Sequence, residues 1–365
     1  MQPSVKTLLD FHGTSNFGGR ENLNLQQAQA RLAYLALDIA EQKDLAAEVI
    51  SEIAKGNDRF ERALCCLACF LPGSLALFHE ELVDRRILYP GVIFYGATSA
   101  ISRKIIPVCD QSEYCNHALV ALAWIGDDIV QSAFSKWRKN LPSWDLYIPP
   151  HQYAEEAGWE LTTRGRRRDL FHSVAFPLIP PGEASRIDDA VSIGMECEET
   201  CRWCKRKLVG LFEIGAIEKI FPGQGEGPVR VVTCHVCTCF GPLFMKYGPT
   251  GEAQWHEKNV KPSYLPSDSL AWDPFPRSPL VMTKEKRHFL EGANWSMLPG
   301  VAFSQVGGLP TWIQDAGFPA CPDCSQKMLF IGQISNEDFM EYGEGIYYAF
   351  HCPTCNVTAT SYQQT

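Results

Sequence analysis

Cys201-Arg-Trp-Cys204 is followed by Cys234-His-Val-Cys237, and the arrangement returns as Cys321-Pro-Asp-Cys324 followed by Cys352-Pro-Thr-Cys355. Between the inner cysteines lie 29 residues in the first copy and 27 in the second, so the copies align with one two-residue gap. Each first pair leads into an apolar run, Leu208 to Ile214 or Met328 to Ile334. Each second pair is entered from a segment of strand character, Val229 to Thr233 or Ile346 to His351. Two hairpin turns that each present two thiolates bring four sulfurs to the corners of a tetrahedron. The spacing therefore predicts two zinc-ribbon-like units in pseudo-repeat, one held by Cys201, Cys204, Cys234 and Cys237, the other by Cys321, Cys324, Cys352 and Cys355.

The competing reading of any single Cys-x-x-Cys is a disulfide or a redox dithiol. Disulfide scaffolds belong to short secreted chains, whereas this one has 365 residues and 15 cysteines, and its start, MQPSVKTLLDFHG, lacks the apolar core of a secretory signal. A cytoplasmic location is expected, where thiols stay reduced and clustered pairs favour metal. Four thiolates close the coordination shell and leave no position for an activated water, so two structural zinc ions are expected, without catalytic chemistry. Cys197 and Cys239 lie close enough to the first set that either can substitute for a ligand, or both are ordinary buried thiols. His235 and His351 flank ligands and read as outer-shell or surface residues.

The first 145 residues show helical periodicity instead. Apolar residues recur at helical spacing in Leu32, Leu35, Ala36, Ile39; in Ala46, Val49, Ile50, Ile53; in Ala63, Cys66, Leu67, Phe70; in Leu75, Phe78, His79, Leu82; in Ala118, Ala121, Leu122, Ile125; and in Val130, Ala133, Phe134, Trp137. Breaks fall between these segments, and Gly126-Asp127-Asp128 places two carboxylates at the positive end of the following helix. Short amphipathic helices with short turns predict antiparallel pairs, stacked as a solenoid or gathered as a bundle. The stretch from His117 to Lys139 resembles a HEAT-type repeat unit. At helical core spacing, Cys65, Cys66, Cys69, Cys109 and Cys115 read as small hydrophobes.

A change of composition between Leu141-Pro142 and Pro149-Pro150 marks a boundary, giving a helical domain over 1–145 and a zinc-binding, β-rich domain over 146–365. The fold class expected is α+β, multidomain. The longest apolar stretch, Ala63 to Phe78, is broken by Pro72-Gly73 and falls short of the roughly 20 residues a membrane span needs.

Net charge is −9, with 14 basic and 17 acidic residues up to position 150 and 19 basic and 25 acidic beyond it. Phosphate recognition by nucleic-acid binders requires a basic face, and only Arg164 to Arg168 and Arg202 to Lys207 are locally basic, so nucleic acid is not the expected partner. Catalytic signatures are incomplete. His79-Glu-Glu-Leu-Val83 lacks the second histidine of a zincin helix, Gly223-Gln-Gly-Glu-Gly227 lacks the lysine of a phosphate loop, and Phe318-Pro-Ala-Cys321-Pro-Asp-Cys324 lacks the upstream His-x-Glu of a zinc deaminase.

One further stretch carries a resemblance. Gln305-Val-Gly307-Gly308-Leu-Pro310-Thr-Trp312-Ile-Gln314, then Phe330-Ile-Gly-Gln333-Ile334, then Gly345-Ile-Tyr347-Tyr348-Ala-Phe350 is similar to the YwqG-like family in its Gly-Gly-x-Pro motif, its central strand and its final aromatic strand. The Gly-Gly-x-Pro-x-Trp run followed by paired cysteines also resembles the programmed-cell-death-2-like proteins, which implies a chaperone for a basic client such as a ribosomal protein. Some YwqG-like proteins resemble immunity proteins. The resemblance, the incomplete catalytic motifs and the acidic balance together lead to the expectation of a non-enzymatic immunity protein whose partner is a toxin domain. A nucleic-acid-binding zinc ribbon and an enzyme are the alternatives.

Overall fold

The computed structural model describes residues 2–13, 20–183, 187–188, 191–215, 217–221, 228–248, 251–265, 280–294, 297–338 and 344–364. The Gly223–Gly227 run and most of the Pro-rich stretch 262–279 lie outside them. Helix and sheet are mixed, in two compact units. The first takes in residues up to Asp169 together with Asn294–Val301, and the second spans Leu170–Ala293 and Ala302–Thr365.

The first unit contains helices α1 (Pro3–Gly13), α2 (Arg20–Leu35), α3 (Ile39–Ala54), α4 (Glu61–Phe70), α5 (His79–Asp84), α6 (Ser99–Ile105), α7 (Cys115–Ile125) and α8 (Asp128–Lys139). A short hairpin of β1 (Trp159–Leu161) and β2 (Arg167–Asp169) follows. Local chemistry sets the breaks. Asp38 caps α3 by accepting from the Glu41 N–H, while Glu41 accepts from the Asp38 N–H, a reciprocal capping box. Gly126 ends α7 in the left-handed region at φ +58°, and Asp127 then caps α8 through the Val130 N–H.

Three of the expected helical faces differ. Leu32, Leu35 and Ile39 do not form one buried stripe, because the capping box starts a new helix at Ile39 and leaves Leu32 63% and Ile39 72% exposed; Tyr34 and Leu37 are buried instead. Helices α4 and α7 are not amphipathic. Leu64, Cys65, Ala68, Leu119, Ala123 and Trp124 fill the faces that periodicity assigned to solvent, and all are buried.

The expected boundary at 145 falls inside this unit, for a packing reason. Trp159 is fully buried, donates from Nε1 to the Ala123 carbonyl at 2.7 Å and stacks on Phe134, which pins the β1–β2 hairpin to α7 and α8. Asn294–Val301 completes the unit from far along the chain: the Met297 carbonyl accepts from Arg62 Nε at 2.9 Å, and Asn294 reaches the Cys69 sulfur.

The second unit is built on a large antiparallel sheet. Its strands are β3 (His172–Ile179), β4 (Ile187–Asp188), β8 (Leu243–Tyr247), β9 (Ala253–Trp255), β10 (Val281–Thr283), β11 (Arg287–His288), β12 (Gln305–Gly308), β13 (Leu329–Ser335), β14 (Ile346–Cys352) and β15 (Val357–Gln363). They run in the order β4-β10-β3-β12-β13-β14-β15-β8-β9, with β11 also paired to β3. A second sheet of β5 (Val191–Thr200), β6 (Lys207–Ile214) and β7 (Val229–Thr233) covers one face, with a short helix α9 (Ile217–Ile220) beside it. Between them lies an apolar core in which Leu211, Phe212, Ile214 and Val231 meet Ile331, Ile334, Tyr347 and Ala349.

The opposite face of the large sheet carries Phe330, Tyr348 and Phe350, against which Trp312 and Phe318 pack. With both faces covered, all seven residues of β14 are buried, and its sequence reads as a continuous apolar and aromatic run. Gly307 and Gly308 take φ +73° and +70° where β12 crosses β3, so close that a Cβ on Gly307 would strike the Val174 carbonyl.

Candidate metal centres

The two cysteine sets occupy equivalent places in a repeated piece of backbone. In the first, Cys201 opens the turn between β5 and β6: its N–H donates to the Arg206 carbonyl, its carbonyl accepts from the Lys205 N–H, and Lys205 turns through φ +64°. In the second, Cys321 makes the same two bonds with Gln326 and Ser325, and Ser325 has φ +61°. Strand β6 then pairs with β7, and β13 with β14. Each hairpin carries a bulge at the same offset, at Leu211 and at Ile331, seven residues beyond Cys204 and Cys324. A bulge strengthens the local twist of a strand pair. The second pairs differ. Cys352 and Cys355 bracket the β14–β15 turn, whereas Cys234 and Cys237 end β7 and enter a 3₁₀ turn over Cys237–Phe240.

The sulfurs of Cys201, Cys204, Cys234 and Cys237 lie within 4.8 Å of one another, as do those of Cys321, Cys324, Cys352 and Cys355. Neighbouring sulfurs stand 3.7 Å apart for Cys201 and Cys237, 3.5 Å for Cys204 and Cys234, and 3.7 Å for Cys324 and Cys352. A disulfide needs about 2.05 Å. A tetrahedron with metal–sulfur bonds of about 2.3 Å has edges of about 3.8 Å. The donors therefore fit a four-coordinate ion and not a covalent bridge, and both sets could hold a metal.

The electrostatics point the same way. Sulfur contacts with Cys234 and Cys237 hold the Cys201 thiol well below its ordinary range, while Cys234 and Cys237 are pushed up by the same contacts. At the second set burial works against the Cys324 thiolate, yet the Gln326 N–H and the neighbouring thiols hold it below the usual thiol range. Burial raises Cys352, and burial followed by Cys324 raises Cys355 to about 11. A cation bound by either cluster would displace its thiol protons.

Cys197 and Cys239 stand outside the four-sulfur groups. The Cys197 sulfur accepts from Arg230 Nη2 at 3.3 Å, and Cys239 turns its thiol to the His235 carbonyl at 3.2 Å. His235 and His351 belong to neither sulfur group and are buried, not surface residues. Burial raises the thiols of Cys65, Cys66, Cys109, Cys115, Cys197 and Cys239, the last to about 11, which disfavours their nucleophilic thiolate form.

Residues that spacing did not single out tie both centres to one hairpin, β8–β9. At the first, Trp203, between the two turn cysteines, meets Trp255 of β9 edge to face at 5.1 Å. At the second, Asp323, in the equivalent interval, accepts from Lys246 Nζ at 2.7 Å and pairs with His256 Nε2 at 3.1 Å. Lys246 is raised mainly by Asp323 and also by Cys355, so the same cation sits near the second sulfur set. The signal available in sequence was position: each side chain falls between two ligands, where it must point out of the knuckle.

A polar network holds the Gly-Gly-Leu-Pro segment. Gln305 Nε2 donates to the Leu309 carbonyl at 2.6 Å, Gln333 Oε1 accepts from the Thr311 N–H at 2.8 Å, and Tyr348 donates to the Thr311 carbonyl at 2.7 Å, all fully buried.

Among the described residues no helix is long and apolar enough to cross a membrane. The chain belongs to the family of the protein named "Uncharacterized protein YpfL" from Salmonella typhimurium: it is 36% identical over 343 residues, which cover 91% of this chain and 79% of that protein. No family model matches the chain. No solved structure matches it.

Proposed function

We propose that this member of the YpfL family is a zinc-stabilised cytoplasmic immunity protein that neutralises a cognate bacterial toxin domain by stoichiometric binding. The observation that carries the reading is the pair of closed four-sulfur centres: every candidate ligand position is a thiolate, which suits zinc in a structural role and leaves nowhere for a metal-bound water to form. Buried, protonated thiols elsewhere argue in the same direction. A net charge of −9 complements the basic substrate face of a nuclease-like toxin. The helical unit, read as HEAT-like antiparallel pairs, offers exposed Leu32, Leu35 and Ile39 as apolar contacts, and the second unit is read as a YwqG-like domain carrying two ribbons.

The test is co-expression with the product of the adjacent gene. Protection should rise with the molar ratio of the two proteins, saturate at equal amounts and survive Cys109→Ser. Protection at strongly substoichiometric amounts would instead reveal catalysis. A ribosomal protein as the sole stable partner would replace the immunity reading with the chaperone one.

A further inference from the structure

The C-terminal half of α8 and the β1–β2 turn flank an open hollow of about 540 Å³, lined by cations, hydroxyls and Asn140 and by no acidic side chain. Lys136 and Lys139 come from the helix, Arg164 from the turn, and Ser132, Ser135 and Thr163 add three hydroxyls. Three basic residues in the last turn of a helix would, alone, be read as partners of its negative end. Two features go beyond that. Arg138 is already engaged: its guanidinium donates to the carbonyls of Leu161 and Thr162 at 2.9 and 2.8 Å, clamping the turn against the helix. The turn approaches so closely that a Cβ on Gly165 would sit 2.7 Å from Ser135 Oγ, and Gly165 takes φ +76° to do it. The clamp thus carries Arg164 from a separate element to the same hollow, where the helix end has no use for it. Among the described residues Lys136, Lys139 and Arg164 form no ion pair, whereas Arg167 and Arg168 of the same basic run are paired with Asp169 and Glu160.

The geometry points to a binding site for a small phosphorylated ligand. The volume lies in the range of small-molecule sites, roughly 300–1,000 Å³. Three uncommitted cations with hydroxyl donors exceed what one carboxylate can accept and match a phosphoryl group bearing two or more charges. Nucleic acid fits less well, since the lining contains no aromatic side chain on which a base could stack. The site lies wholly in the first unit and is independent of the toxin-binding reading.

Calorimetry of the full-length, metal-loaded chain at low ionic strength, with inorganic pyrophosphate as the probe, tests the assignment. One site per chain is expected, and Lys139→Gln and Arg164→Gln should each weaken it by roughly tenfold, the loss of one charge-assisted hydrogen bond. Lys6→Gln, a cation on α1 of the same unit, should change nothing. Far-UV circular dichroism of the variants fixes the fold, and Gly165→Ala, which pushes the turn off the helix without removing a charge, should weaken binding too. Absence of pyrophosphate binding overturns the proposal, as does equal binding by a Lys139→Gln, Arg164→Gln double variant. Equal affinity for citrate would reduce the site to a general anion patch. A short single-stranded oligonucleotide that binds more tightly than pyrophosphate, and loses that affinity in the same variants, would make it a nucleic-acid surface.

Discussion

Replacing Cys352 by serine should empty both metal centres and unfold the second unit while the helical one persists. Cys352 closes β14, which lies between β13 and β15 and is buried along its whole length. Binding of a structural zinc is worth about 10–16 kcal/mol at neutral pH, and domains are stable by only about 5–15 kcal/mol. Losing one ion therefore removes as much free energy as holds the unit together. The first centre should not survive alone, because its hairpin and that of the second share one core: Leu211 and Phe212 of β6 pack with Ile331 and Ile334 of β13. Elemental analysis should find two ions per chain in the parent and close to none in Cys352→Ser, with Cys197→Ser and Cys239→Ser keeping both.

Hydrogen exchange of Cys352→Ser should show protection lost over the strands from β3 onward and kept over α3, α4 and α7. Limited proteolysis should leave a fragment ending near residue 169, weakened by the release of Asn294–Val301, whose Met297 carbonyl holds Arg62 in the intact chain. Retention of one ion with half the strands protected would refute the shared-core argument. Loss of the helices in the same transition would refute the independence of the two units.

Two other perturbations read the folded state directly. Burial, and then Arg62, depress the His12 pKa to about 3, so the folded form binds fewer protons than the unfolded form; the first unit should be fully stable above about pH 6.5 and lose stability as pH falls toward 3, by about 2 kcal/mol at pH 5, and His12→Gln should flatten that dependence in acid denaturation curves. Thr233 and Thr360 share a buried hydroxyl contact of 2.6 Å across the two sheets, so Thr360→Val should cost about 1–3 kcal/mol by stranding Thr233, whereas the Thr233→Val, Thr360→Val double variant should be less destabilised than that single one in chemical denaturation, and a simple sum would discount the contact.

The metal centres were legible because thiol spacing is a local property: the interval between cysteines in a knuckle is set by the turn itself, and the apolar run after Cys204 or Cys324 becomes the strand that turn begins. The helices were legible only in part. Periodicity assumes one dry face, and α4 and α7 have none to spare, while the Asp38 and Glu41 capping box is a two-residue chemical signal that overrides the apolar spacing around Leu35 and Ile39. The Pro-rich stretch near 141–150 marks a change of direction within one unit, since what decides membership is the burial of Trp159, and a single aromatic gives no notice of where it will pack. Least legible was Asn294–Val301, which joins the helical unit through the Met297 carbonyl, a group any sequence could offer, and through the Asn294 side chain.

The repeat in the second unit is one of backbone, and its divergence bears on function. Both knuckles present an outward side chain between their ligands to the β8–β9 hairpin, one by aromatic contact through Trp203 and one by charge through Asp323. An apolar edge contact is indifferent to salt, whereas the Asp323 cluster with Lys246 and His256 weakens as ionic strength rises or as the carboxylate is protonated. Lys246 belongs to that cluster and is also raised slightly by the charge of Cys355. The second centre is thus the one through which salt should act on the metal content of the unit. High salt in a competition with chelator should lower the chelator concentration at which both ions leave, with Asp323→Asn reproducing the shift at low salt.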